Sequence, residues 1–83
     1  MSWDYRLAYS ALKNLKRFPG PDRRRIYEAL EAMKSDPFRG DVKPIQGEEN
    51  LYRRRVGAYR IYFRPALSIQ LLEIPEIIRK QSH

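Results

Sequence analysis

Between Leu51 and Arg64 the chain reads Leu-Tyr-Arg-Arg-Arg-Val-Gly-Ala-Tyr-Arg-Ile-Tyr-Phe-Arg, a stretch with five arginines and no acid. Guanidinium stays charged at any physiological pH and offers a planar fork of donors that matches phosphate, so the chemistry on offer is anion binding. If Gly57-Ala58 forms a two-residue turn with Gly at the first central position, as a type II′ turn requires, the register of a hairpin follows. Val56 then faces Tyr59, Arg55 faces Arg60, Arg54 faces Ile61, Arg53 faces Tyr62, Tyr52 faces Phe63 and Leu51 faces Arg64. Alternation puts Tyr52, Val56, Tyr59, Ile61 and Phe63 on one face and Arg53, Arg55, Arg60, Tyr62 and Arg64 on the other. Arg55 directly opposite Arg60 is destabilising by itself, so an anion is expected there. Tyr62 adds a ring on which a base could stack, which makes the strip a path for a nucleic-acid backbone. Arg54 falls by parity on the apolar face. Either it lies near a sheet edge and extends its guanidinium to water, or a bulge shifts the register there.

Arginine does not move protons near neutral pH, so acid or base chemistry needs another group. The single histidine of the chain, His83, has the right titration range. Further cations that could extend a polyanion surface are Lys13, Lys16 and Arg17, on the polar side of an amphipathic segment, and Lys43, in the stretch before the hairpin.

The elements that must position these groups follow from periodicity. Trp3, Tyr5, Leu7 and Tyr9 alternate with Asp4, Arg6, Ala8 and Ser10, as in a half-buried strand. Ser10 is placed to cap a helix with Ala11, Leu12, Leu15 and Phe18 on one face, stopped by Pro19-Gly20-Pro21. Asp22 is placed to cap a second helix whose Ile26, Ala29, Leu30 and Met33 form one buried stripe, ending near Ser35 before Asp36-Pro37. Residues 38–50 read as a loop. Strands follow at Leu51 to Val56, Tyr59 to Arg64 and Ser68 to Ile74, with Pro75 ending the last. The order βααβββ predicts a single α+β domain over residues 1–83, with two helices packed on one face of a mainly antiparallel four-stranded sheet.

Composition bounds what such a domain can do. The 83 residues include no cysteine, which excludes disulfides, thiolate zinc sites and a cysteine nucleophile. Neither a signal-peptide core nor a membrane span is visible, so a soluble, cytoplasmic protein is expected, with no membrane contact and no metal or small-molecule cofactor. A net charge of +7 on so small a surface calls for polyanionic or acidic partners. A core this small also gains from a partner that buries more of it.

The hairpin and its approach resemble the RelE/ParE toxin superfamily, in which a Lys-x-Leu/Ile-x-Gly segment precedes a Tyr-basic-x-basic-Val-Gly-x-Tyr-Arg-Ile-x-Tyr/Phe hairpin. The matching residues are Lys43-Pro44-Ile45-Gln46-Gly47 and Tyr52-Arg53-Arg54-Arg55-Val56-Gly57-Ala58-Tyr59-Arg60-Ile61-Tyr62-Phe63. The resemblance implies a toxin of a type II toxin–antitoxin system, similar to the metal-independent, ribosome-dependent endoribonucleases that cut mRNA in the decoding site by 2′-hydroxyl attack on the adjacent phosphate. Its partners would be mRNA, ribosomal RNA and an acidic antitoxin. It assigns Arg53, Arg55 and Arg60 to the catalytic site, with His83 as the proton-transfer group near the chain end. The family's last strand carries an arginine where this chain has Ile77, and Arg79 is the nearest substitute. Two alternatives share the fold: a ParE-like inhibitor of DNA gyrase, and a non-toxic antitoxin-binding module.

Overall fold

The computed structural model describes residues 2–80. In chain order the elements are β1 (Asp4–Leu7), α1 (Tyr9–Arg17), α2 (Gly20–Met33), β2 (Val42–Pro44), β3 (Tyr52–Val56), β4 (Tyr59–Ala66) and β5 (Leu71–Arg79). The strands form one sheet in the order β1-β5-β4-β3-β2, antiparallel except for the parallel pairing of β1 with β5. Both helices lie on one face. Their stripes, Ala11 and Leu15 from α1 and Ile26, Ala29, Leu30 and Met33 from α2, meet Tyr59, Ile61, Phe63, Leu72, Ile74 and Ile77 of the sheet in one core. The α+β class and the α2 stripe are as expected, the α1 stripe keeps Ala11 and Leu15 but leaves Leu12 out of the core, and among the described residues the other face of the sheet carries no helix.

Several boundaries differ from the sequence reading, each for an identifiable reason. The sheet has five strands, because Val42–Pro44 within the predicted loop pairs with β3 at Val42↔Arg54, Lys43↔Arg53 and Pro44↔Tyr52. Three residues ending in proline carry no readable alternation. The first strand stops at Leu7, and Tyr9 opens α1 with 79% of its surface exposed instead of joining the buried row. Neither predicted capping side chain caps its helix. Ser10 lies inside α1, where its hydroxyl donates to the Pro75 carbonyl (2.9 Å), and α2 starts two residues before Asp22 with Pro21 in its first turn.

Pro65 and Pro75 both lie within strands. Pro65 is tolerated because β3 ends short of it, so its missing N–H deprives no neighbour, and the Asn50 amide donates to its carbonyl at 3.0 Å. Pro75 occupies a bulge. The register steps from Tyr62↔Glu76 to Arg64↔Glu73, so two residues of β5, Ile74 and Pro75, oppose Phe63 alone. Beyond the bulge β5 has lost β1 as a neighbour. Its free edge is covered by α1, with Ser10 on the Pro75 carbonyl and Asn14 Nδ2 donating to the Ile77 carbonyl at 3.1 Å.

Two polar contacts tie the layers together. Tyr59, 2% exposed and tilted against Phe18 at 4.6 Å, donates its hydroxyl to Asp22 Oδ2 at 2.6 Å. That hydrogen bond holds the Asp22 carboxyl below its ordinary 3.8, while burial first, and then the same carboxylate, raise the Tyr59 phenol. Arg54 points to the helix side, donating Nη1 to the Arg39 carbonyl at 2.6 Å, and its guanidinium fills the space above Gly40.

Two predictions follow from these contacts. Because Asp22 is depressed in the folded state, its contribution is present above 3.8 and is lost as pH falls through the folded value. Urea midpoints of Asp22→Asn should therefore lack the part of the acid dependence that wild type shows. Gly40 and Gly47 both have positive φ, 94° and 84°, but only at Gly40 would a Cβ meet a neighbour, at 2.9 Å from Arg54 Nη1. Gly40→Ala should cost more than about 1 kcal/mol, and more than Gly47→Ala. In an Arg54→Ala background the difference should vanish, and equal costs in both backgrounds would refute the contact.

Candidate nucleic-acid interface

The hairpin is closed by Gly57 at φ 59°, while Ala58 keeps negative φ, the pattern of a type II′ turn. Its register is Tyr52↔Phe63, Arg53↔Tyr62, Arg54↔Ile61, Arg55↔Arg60 and Val56↔Tyr59. Burial of Tyr59, Ile61 and Phe63 under the helices leaves Arg60, Tyr62 and Arg64 on the open face. There they form rows across the strands. One row runs Lys43, Arg53, Tyr62, Glu76, and the next runs Arg55, Arg60, Ile78.

Other elements supply acids to part of this surface. Arg53 lies 3.6 Å from Asp41, and Arg64 lies 3.6 Å from Glu48 while donating to the Glu49 carbonyl at 2.8 Å. Farther along, Arg6 of β1 pairs with Glu73 of β5. Arg55 and Arg60 are different. They face each other in register, donate only to nearby carbonyls (Gly57 at 3.3 Å, Tyr59 at 3.4 Å), and have no ion-pair partner among the described residues. Net positive charge is thus concentrated at the turn end of the hairpin, with the Tyr62 ring beside it.

The predicted site residues divide into groups. Lys43, Arg53, Arg55, Arg60, Tyr62 and Arg64 share the open face, and β2, missed in the sequence, brings Lys43 beside Arg53. Lys13, Lys16 and Arg17 lie on α1, in the layer on the other side of the sheet. Arg79 pairs with buried Tyr59, so it belongs to the helix side, where its charge helps hold Asp22 ionised. Ile77, the position where the family motif has arginine, is fully buried, and the residue beside Arg60 on the open face is Ile78. His83 lies outside the described residues. Arg54 needs neither an edge nor a bulge, since β2 covers β3 and the register is unbroken; the guanidinium reaches a loop carbonyl instead. Asp41, Glu48 and Glu76 escaped the sequence reading because they reach the hairpin from other segments.

Among the described residues there is no cluster of three or more His, Cys, Asp or Glu, and no helix is long and apolar enough to cross a membrane. The molecule is a two-layer α+β protein whose helices cover one sheet face and whose other face is lined by arginine at the hairpin. No protein-family model matches the chain. Toxin RelE3 of Methanocaldococcus jannaschii is 40% identical over 58 residues, 65% of this chain and 66% of the relative. RelE1 of the same archaeon is 25% identical over 84 residues, covering 98% of this chain and 93% of that one. The RelE–RelB complex of Pyrococcus horikoshii superposes with a TM-score of 0.86 at 22% identity, covering both chains completely. These likenesses support a toxin of the RelE/ParE superfamily, and the curated relatives that the chain resembles are RelE toxins.

An unpaired arginine couple on a sheet predicts opposed effects on stability and binding. Arg55→Thr should raise stability by about 0.2–1 kcal/mol in low salt, with the gain shrinking as salt is added. The same change should weaken RNA binding. Urea unfolding and RNA titration at two salt concentrations check both, and a loss of stability in Arg55→Thr would show the pair to be neutralised from within.

Proposed function

We propose that this protein is the toxin of a type II toxin–antitoxin pair that cleaves mRNA on the ribosome. The observation that carries the reading is Arg55 facing Arg60, without a carboxylate partner among the described residues, on an open face that also presents Tyr62. In the proposed reaction the RNA 2′-oxygen bonds to the adjacent phosphorus, the bond to the 5′-oxygen breaks, and the proton lost from the 2′-hydroxyl is balanced by one gained by the leaving 5′-oxygen. Arg60, flanked by Arg55 and Arg53, stabilises the charge that builds up on the phosphoryl oxygens. Tyr62 stacks a neighbouring base, Lys43 and Arg64 extend the backbone path, and His83 transfers the proton. No metal takes part. The partners are mRNA in the decoding site, ribosomal RNA and an acidic antitoxin, and the compartment is the cytoplasm. That the Pyrococcus horikoshii relative was solved with RelB supports the antitoxin assignment.

One observation favours the runner-up, a ParE-like gyrase inhibitor. The β5 residues beside the arginines are Ile78 and Glu76, and Arg79 faces the helices, so the last strand adds no cation to the open face. Expression in cells separates the two readings: transcript ends should map within translated codons, whereas intact mRNA with blocked supercoiling would replace the nuclease by the gyrase reading. Arg60→Ala should abolish growth arrest and reduce cleavage at least about 10²-fold. His83→Ala should slow cleavage while leaving ribosome binding unchanged, and wild-type rates in both variants would remove their assigned roles.

A further inference from the structure

The ion pairs among the described residues are of two kinds. Arg6 grips Glu73 with two donors, Nε at 3.2 Å from Oε2 and Nη2 on Oε1, while on α2 Arg25 donates to Asp22 at 3.0 Å and Lys34 meets Glu31 at 3.3 Å. The two pairs at the hairpin are looser. Arg53–Asp41 and Arg64–Glu48 both stand at 3.6 Å, beyond hydrogen-bond reach. Their carboxylates are about half exposed, 47% for Asp41 and 52% for Glu48. Arg53 Nη1, the nitrogen that faces Asp41, is shielded from water and has no hydrogen-bond partner among the described residues. A donor left unfilled in that way is unfavourable, and Asp41 compensates its charge without satisfying it. Between these two guarded arginines lies the couple Arg55–Arg60, which no carboxylate guards. Arg53 is two positions from Arg55 along β3, and Arg64 is four positions from Arg60 along β4, so the outer arginines stand about 7 and 13 Å from the couple.

We infer that Asp41 and Glu48 determine which RNAs the arginine face accepts: each holds its arginine in the free protein and is displaced by a phosphate of a strand long enough to reach it. A ligand with a single phosphate meets only Arg55 and Arg60. A longer strand also reaches Arg53 and Arg64, where a phosphate oxygen can close to the roughly 2.7–2.9 Å of a charge-assisted hydrogen bond that neither carboxylate makes. The strand thereby exchanges two loose contacts for two tight ones, and the displaced carboxylates move into water that already covers half of their surface. Because each exchange must first break an existing attraction, the two acids lower the affinity of every polyanion that extends past the central couple. Glu73 does not act in this way, since its two-pronged hold on Arg6 leaves no donor unfilled for a phosphate to satisfy. The inference rests on the reading of the arginine face as an RNA site, but it requires no cleavage.

The test uses the full chain with 2′-O-methyl RNA, which cannot be cut, as a dinucleotide with one phosphate and as a hexamer. D41N/E48Q should bind the hexamer roughly 2- to 20-fold more tightly than wild type in low salt, the range expected for two exposed ion pairs, and the gain should shrink as salt is added. Dinucleotide affinity should not change. In an R53Q/R64Q background D41N/E48Q should bring no gain, because the arginines that the acids guard are gone. Arg53 is only 21% exposed, so the Arg64–Glu48 half is also run alone, as E48Q with and without R64Q, and should show the same pattern. E28Q/E31Q removes the same charge from α2 and frees Lys34, and should gain far less than D41N/E48Q. Circular dichroism of each variant shows that the fold is retained. Equal hexamer affinity in D41N/E48Q and wild type, an equal gain for the dinucleotide or in E28Q/E31Q, or a gain that survives loss of the arginines overturns the inference. Wild type that binds neither RNA removes the RNA reading of the face and the inference with it, whereas absent mRNA cleavage bears only on the nuclease reading.

Discussion

Tyr59, Ile61 and Phe63 occupy alternate positions of β4 and lose nearly all contact with water beneath two helices, so the residues between them can only point the other way. That burial fixes the register of the hairpin, because a slip of one residue would send three large apolar side chains into solvent and bring Arg60 and Tyr62 into the core. Each of the three contributes on the order of 1.5–3 kcal/mol by leaving water, far more than the repulsion of Arg55 and Arg60 takes away. The core therefore holds two like charges face to face, in an unfavourable arrangement that cannot relax.

The Tyr59–Asp22 hydrogen bond is the polar counterpart of that constraint. It joins the first residue of β4 to the first turn of α2, beside the α1–α2 junction, and places a carboxylate next to Arg25 and near Arg79. Negative charge is thus spent on the helix side of the sheet at the end where the open face is most positive. Asp41, Glu48 and Glu73 serve Arg53, Arg64 and Arg6 elsewhere. The basic character of the protein is a matter of where the acids go as much as of how many arginines there are.

Much of this arrangement was legible in the sequence wherever the signal was local. The α2 stripe and the hairpin pairing from Tyr52↔Phe63 to Val56↔Tyr59 depend on periodicity and on one glycine turn. What could not be read depends on contacts between distant segments. Strand β2 exists only because β3 offers it an edge. Ser10 and Asp22 look like helix caps, yet the first is drawn to the Pro75 carbonyl and the second to a tyrosine 37 residues away. Pro65 and Pro75 read as strand ends, because nothing local shows that one faces an unpaired side and the other a bulge. The family resemblance supplied the identity of the hairpin, but residue counting alone could not say which face the tail residues take.

The bulge at Ile74–Pro75 makes that last point an evolutionary one. It absorbs one extra residue of β5, so losing a codon there would leave Tyr62↔Glu76 and Arg60↔Ile78 in place, whereas losing Ile77 just beyond it would bring Ile78 into the core opposite Ile61 and Arg79 beside Arg60. A single-residue deletion can therefore add a third arginine without an ion-pair partner to the two at the turn end of the open face while keeping an isoleucine in the interior. In a lineage that carries this fold, gain or loss of one position just beyond the bulge is a short mutational path between a sheet face with two unpaired arginines and one with three.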